Sequence, residues 1–246
     1  RGMIKLRIRS AAATHAGAVR AANEDSILSR DDINLWVVAD GMGGHANGQW
    51  ASATVVGALD AVQMGEGDPY PYLLGALYAG NGAIVRGAAV SGQSMGTTVV
   101  ALHIGNGQVT GLWVGDSRIY RRRDGVLAQL TRDHSMVQEL VDRGSLTAEE
   151  AETHPMAHVL SRAVGIEESL SHEAFRDEAR PGDLFLLCSD GLSKVLSNEA
   201  IASRLDSSPA RAVEALVADT LAAGAPDNVS VIIVSLEETT VIVPAL

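Results

Sequence analysis

The sequence predicts an α+β fold, and three observations carry that prediction. A strand-like opening is followed by two Ala-rich stretches with Leu and Val at helical spacing, roughly 47–63 and 70–90. From Thr97 the hydrophobic period becomes strand-like and stays so through Leu130. Strands and helices are thus segregated along the chain, not interleaved as in a βαβ parallel sheet.

Ile4 to Ile8 alternates apolar residues with Lys5 and Arg7, as a half-buried strand does. Ile33 to Ala39 is a short apolar run ending in Asp40-Gly41-Met42-Gly43-Gly44, so a buried strand should stop at a tight loop. Within 97–130, Gly105-Asn106-Gly107 and Asp124-Gly125 predict hairpin turns, because Gly and Asn accept positive φ. The whole stretch is expected to be an antiparallel meander. Residues 134–165 read as a polar, irregular helical insertion, a flap or extra lobe. Leu184 to Cys188 is a second buried strand, ending in Ser189-Asp190-Gly191. A helix is expected over about 209–223 and a strand from Val229 to Leu236, preceded by Pro226-Asp227-Asn228.

The 246 residues carry 46% hydrophobic and 20% charged side chains, which excludes a disordered chain. Without a linker-like stretch, one domain over 4–240 is expected, with the flap at about 134–165. A net charge of −11 argues against a nucleic-acid partner. No apolar run approaches the roughly 18 residues of a membrane span, so no membrane contact is expected. Cys188 is the single cysteine, which excludes an intramolecular disulfide or a Cys-cluster zinc site and fits a reducing compartment. Arg1-Gly2 stands before a Met3 that reads as the native start. The opening residues form no signal peptide, so the expected address is cytoplasmic and the expected state a monomer.

Four aspartates occupy similar places. Asp40 and Asp190 each close an apolar strand and precede a glycine. Asp116 follows Leu112-Trp113-Val114-Gly115, and Asp227 stands just before the strand at Val229. Any one of them alone would read as a turn or cap residue. Four in one context point to carboxylates that converge and need a cation to offset their repulsion. Hard oxygen ligands without thiolate or imidazole suit Mg²⁺ or Mn²⁺ better than Zn²⁺. Gly41 adds a backbone carbonyl that no side chain covers. A two-metal carboxylate site acidifies a bridging water into a hydroxide nucleophile, and the chemistry it suits is phosphoester hydrolysis.

Seven short segments occur in order: Arg20-Ala21-Ala22-Asn23-Glu24-Asp25-Ser26, Ala39-Asp40-Gly41-Met42-Gly43-Gly44-His45, Gly96-Thr97-Thr98, Gly115-Asp116-Ser117-Arg118, Leu130-Thr131-Arg132-Asp133-His134-Ser135, Cys188-Ser189-Asp190-Gly191-Leu192 and Pro226-Asp227-Asn228-Val229. Together they resemble the bacterial branch of the PP2C (PPM) metal-dependent serine/threonine protein phosphatases. The resemblance implies a four-layer α-β-β-α sandwich, two antiparallel sheets flanked by helices, with metals at one end. It implies that Asp40 bridges two Mn²⁺ or Mg²⁺ ions, with the Gly41 carbonyl on one and Asp190 and Asp227 on the other. Asp116, with Asp190 shared, would help hold a weaker third ion. Arg20 matches the arginine that grips the substrate phosphate, whose guanidinium offers a bidentate fork. Glu24 and Asp25 would orient metal-bound waters.

Met42 stands where eukaryotic members of the family carry a histidine general acid, and methionine donates no proton. His45 is the candidate to touch the phosphate or leaving group, against the plainer role of a loop-stabilising histidine. Gln49 and Ser161 replace the family's common Glu and Thr, both mild changes. The expected activity is hydrolysis of phosphoserine and phosphothreonine in proteins, opposing a bacterial Ser/Thr kinase. Partners would be that kinase's substrates or the kinase itself. A pseudophosphatase that only binds phosphoproteins is disfavoured by the full acidic set, and a partner-switching phosphoprotein remains open as substrate.

Other signals read as structural. Gly92-Gln93-Ser94-Met95-Gly96 fits a nucleophile elbow, but a helix precedes it and a strand follows, the reverse of the required context. His154 and His158 have zinc-helix spacing, yet Pro155 replaces the needed Glu. Gly43-Gly44 lacks the Lys-Ser/Thr of a nucleotide loop. Cys188 reads as an inert core thiol. Arg121-Arg122-Arg123 reads as a solvated strand end or, less simply, a recruiter of acidic phosphosubstrates.

Overall fold

The computed structural model describes residues 4–44 and 46–240; Met3 and His45 lie outside the described residues. In chain order the elements are β1 (Ile4–His15), β2 (Asp25–Arg30), β3 (Leu35–Met42), α1 (Ala46–Asp60), α2 (Tyr70–Ser91), β4 (Gly96–Thr97), β5 (Val99–Gly105), β6 (Gln108–Val114), β7 (Arg118–Arg123), β8 (Val126–Gln129), α3 (Met136–Asp142), α4 (Ala148–Glu152), β9 (Glu173–Glu178), β10 (Leu184–Cys188), α5 (Asp190–Ser193), α6 (Asn198–Arg204), α7 (Pro209–Ala222) and β11 (Val229–Thr240). They form two antiparallel sheets, β1-β11-β10-β7-β8 and β2-β3-β5-β6-β9, with β4 paired to β3.

Three apolar layers hold these sheets and helices together, which is the α-β-β-α sandwich. Alternation along β3 shows how. Leu35, Val37 and Ala39 pack with Leu59, Leu73 and Leu77 of α1 and α2. Trp36 and Val38 point the other way, onto Phe185, Ile232 and Val234 of the opposite sheet. Leu186, Val231 and Ile233 then face Ile201 and Leu216 of α6 and α7. Both faces of a central strand are buried, so β3 from Leu35 to Ala39 and the whole of β10 are apolar instead of half polar.

The structure corrects several sequence expectations. The stretch 97–130 is not one meander: β5 and β6 lie in one sheet, β7 and β8 in the other. The chain changes sheet at Gly115-Asp116-Ser117, where Gly115 has φ +105°. Strand periodicity reports which faces are buried and carries no information on which sheet a strand joins. β1 and β11 run longer than the sequence pattern predicts, and that pattern does not predict β2, β9, α5 or α6. The flap is helical only in α3 and α4; the rest of 134–165 is turns and irregular backbone, closed by the isolated bridges Ser135–Leu160 and Thr97–Val164. α2 is 22 residues long and apolar enough, by length and composition, to cross a membrane. In this fold it buries Leu73, Leu77, Gly80, Asn81 and Ile84. The buried Asn81 side chain donates to the Glu167 carbonyl and accepts from the Gly165 amide.

The decoys resolve simply. Ser94 lies between the Gly92 C-cap of α2 and β4, so no elbow exists. His154 accepts a hydrogen bond from the Met156 amide in a turn, not on a helix. Cys188 is fully buried, and burial pushes its thiol up to about 12. Arg121, Arg122 and Arg123 are not a free basic patch: they pair with Asp177, Asp206 and Asp183 respectively.

Candidate active site

Sheet register brings the acidic residues to one end. Asp25 and Asp40 are direct cross-strand partners of β2 and β3. Arg118 pairs with Cys188, and continuing that register by two residues sets Asp116 level with Asp190. Val229 pairs with His15 at the same end, which places Asp227 and the Arg20–Glu24 segment beside them. Arg20, Glu24, Asp40, Gly41, Asp116, Asp190 and Asp227 all line one cleft of about 890 Å³, and Ser161 and Arg162 of the flap line it too. Every described residue expected in the site is therefore at or against this cleft. Asp25 lies just beneath it.

Local bonding fixes each group. The Gly96-Thr97-Thr98 segment brackets Asp40: the Thr98 hydroxyl accepts from the Asp40 amide at 3.0 Å, and the Thr98 amide donates to the Asp40 carbonyl at 2.8 Å. Gly41 is required for packing, since a Cβ there would stand 2.0 Å from the Gly48 carbonyl of α1. Gly48 in turn leaves room for Glu24, whose Oε2 would be 1.9 Å from a Cβ at that position. Asp190 is the first residue of α5, behind the Ser189 N-cap. The Arg118 guanidinium grips Asp133 with two bonds of 2.9 and 2.7 Å. That pair ties the Asp116 crossover to the segment leading into the flap.

The site is short of positive charge. Asp25 accepts from Ser189 at 2.8 Å and Ser230 at 2.6 Å through Oδ2, while its buried Oδ1 has no partner among the described residues. Burial first, and then Asp190 and Asp227, lift its carboxyl to about 7 despite those two hydroxyls. Asp40 is pushed well above the usual carboxylate range by desolvation and by Asp25, Asp190 and Asp116. Burial and Asp190 raise Asp116 to about 6, against the pull of Lys194. Among the described residues, Arg20 and Lys194 form the ion pairs with these groups. Arg20 donates to Asp227 at 2.8 Å. Lys194 donates to Asp190 at 2.6 Å and to Asp116 at 3.0 Å. Burial disfavours the Lys194 charge, but Asp190 and Asp116 outweigh it and hold the amine above its ordinary value. Among the described residues, no three His, Cys, Asp or Glu side chains are drawn tightly enough to hold an ion as they stand.

The model of the protein phosphatase 2C family matches residues 13–228. This chain belongs to the PP2C family. It is 41% identical over 235 residues to the serine/threonine protein phosphatase PstP of Mycobacterium tuberculosis, covering 94% of this chain and 45% of that protein. The chain thus spans about half the length of that relative. It is 35% identical to the serine/threonine phosphatase stp of Listeria monocytogenes, covering 92% of this chain and 95% of that one. A solved PstP catalytic domain in complex with two manganese ions superposes with a TM-score of 0.87 at 39% identity, covering 95% of this chain and all of that domain.

Within this PP2C fold several working residues had no role assigned from sequence. Asn228 sits in a quoted motif, yet its function is visible only in three dimensions. Its amide donates to the Ala16 and Ala22 carbonyls and its Oδ1 accepts from the Glu24 amide, each within 2.9 Å. It pins the loop that carries Arg20 and Glu24. Ser189 and Ser230 hold Asp25 in the same way. Lys194 follows Asp190 by four residues, a helical spacing that could have flagged it.

Proposed function

We infer that this PP2C chain is a metal-dependent protein serine/threonine phosphatase. The observation that carries this reading is the buried Asp25 Oδ1, without a partner among the described residues, beneath a cleft where Asp40, Asp190, Asp116 and Asp227 meet with too little positive charge from those residues. An all-oxygen donor set of this kind fits Mn²⁺ or Mg²⁺. The two manganese ions of the PstP catalytic domain support the same metal and number. Asp40, the Gly41 carbonyl, Asp190 and Asp227 would hold the pair. When bound, the ions supply a water acidified into the neutral range and a positive clamp on phosphoryl oxygens.

The chain's own residues do the rest. Arg20 spends one N–H on Asp227 and keeps further donors of its half-exposed fork for the phosphate of a phosphoserine or phosphothreonine. Asp25 Oδ1 and Glu24 are acceptors that orient waters lying in front of them. Met42 lines the cleft and has no proton to give. The leaving seryl or threonyl oxygen takes its proton from cleft water or from His45.

The substrates on this reading are phosphorylated proteins, with the kinase that makes them, or is itself phosphorylated, as partner. One phosphatase domain spans 4–240, and its flap meets the cleft through residues 158–163. The reduced, buried Cys188 supports a cytoplasmic address, and a monomer completes the reading. Hydrolysis of a phosphothreonine peptide and of p-nitrophenyl phosphate should require Mn²⁺ or Mg²⁺ and stop in EDTA. Asp190→Asn should lower it by roughly 10³-fold or more. Turnover that survives this substitution in a folded protein sinks the two-metal assignment.

A further inference from the structure

The resemblance to bacterial PP2C enzymes implies a third, weaker divalent ion between Asp116 and Asp190. We propose instead that Lys194 is a tethered cation filling that position, so that the enzyme works with two divalent ions; this rests on the metal-dependent phosphatase reading above. The Lys194 ammonium stands 3.0 Å from Asp116 Oδ2 and 2.6 Å from Asp190 Oδ2, bridging the two carboxylates the third ion would need.

The position is built by the backbone. Lys194 is the C-cap of α5, and its amide donates to the Asp190 carbonyl at 2.8 Å. This single helical turn folds the side chain back over the carboxylate that starts it. The β7–β10 register then supplies Asp116 opposite Asp190. The Asp116 carboxylate is 6% exposed, and 30% of the Lys194 side chain is, so this is not a solvated lysine passing over a surface acid.

Occupancy by the ammonium and by a metal are mutually exclusive. Mg²⁺ binds oxygen at about 2.0–2.1 Å in octahedral geometry and usually keeps several waters. An ion on these same oxygens would fall within the volume of Nζ and be repelled by its charge. The ammonium has three donors, of which the two carboxylates take two. Its single positive charge sits against both carboxylates at hydrogen-bond distance. Unlike a weakly held ion, the lysine is present at any metal concentration.

Counting bound Mn²⁺ by electron paramagnetic resonance and calorimetric titration tests this without recourse to activity. The native protein should bind two ions. Lys194→Ala should bind a third, at lower affinity, while the first two remain. Lys194→Met, which retains the aliphatic stem, serves if the alanine variant does not fold, and should also gain the third ion. Three ions on the native protein, or two on both native and folded variant, overturn the proposal. Fewer than two on the native protein overturn the phosphatase reading on which it rests.

Discussion

Two charged regions of this molecule are built from the same residue types and differ in balance. Along β7, Arg118, Arg121, Arg122 and Arg123 each face a carboxylate, Asp133, Asp177, Asp206 and Asp183 in turn, and Arg123 also reaches Asp177 at 3.8 Å. In the cleft, Asp25, Asp40, Asp116, Asp190 and Asp227 meet only Arg20 and Lys194 among the ion pairs of the described residues. Charge matched pair by pair joins one strand to its neighbours and needs nothing further. Charge left unmatched at the end of a rigid sandwich raises carboxylate pKa values and demands an imported cation. The β7 region spends its electrostatics on structure, and the cleft reserves them for a ligand.

The sharpest way to break that contrast is to unbalance the matched side. Asp133→Ala leaves the mostly buried Arg118 without its carboxylate and should cost roughly 3–5 kcal/mol in urea unfolding. A loss below 1 kcal/mol would mean that the pair is no structural anchor. Arg122→Ala tests the other extreme, since Asp206 is 70% exposed. That change should fall below about 1 kcal/mol.

Between these lies the cleft itself. Asp25 at about 7 and Asp116 at about 6 are both raised above the ordinary carboxylate value of about 3.9. The folded chain therefore binds more protons than the unfolded one. Their contribution to metal-free stability is complete below about pH 4 and is lost as pH rises through 6 and 7. In EDTA, Tm should fall by roughly 4 °C or more between pH 5 and 8. Mn²⁺ should restore it far more at pH 8 than at pH 5, and Asp25→Asn should flatten the EDTA profile. A metal-free Tm that rises over this range would contradict the assigned burial of these groups.

Much of this was legible in the chain. Leu184–Cys188 is legible to the residue, because a short apolar run bounded by polar turns has few other places to go. The hairpins at Asn106-Gly107 and Asp124-Gly125 followed from positive φ, which the structure shows at all four residues. The acidic set was legible because each member interrupts an apolar strand end. Less accessible are β2 and β9, whose sequences Asp25–Arg30 and Glu173–Glu178 are mostly polar and gain strand structure only from their neighbours. The break between β6 and β7 was invisible for a related reason: a strand's period is the same in either sheet.

By itself the sequence determined the segregated α+β order, the buried strands, the turns and the identity of the carboxylates, because period, turn chemistry and residue type are local properties. Tertiary structure decided the rest. Only the pairing of β2 with β3 and of β7 with β10 sets Asp25 against Asp40 and Asp116 against Asp190. Only that approach places Lys194 between two acids and leaves Asp25 Oδ1 without a partner among the described residues. Charges interact through distances in space, and no spacing along the chain reports those distances until the sheets have closed.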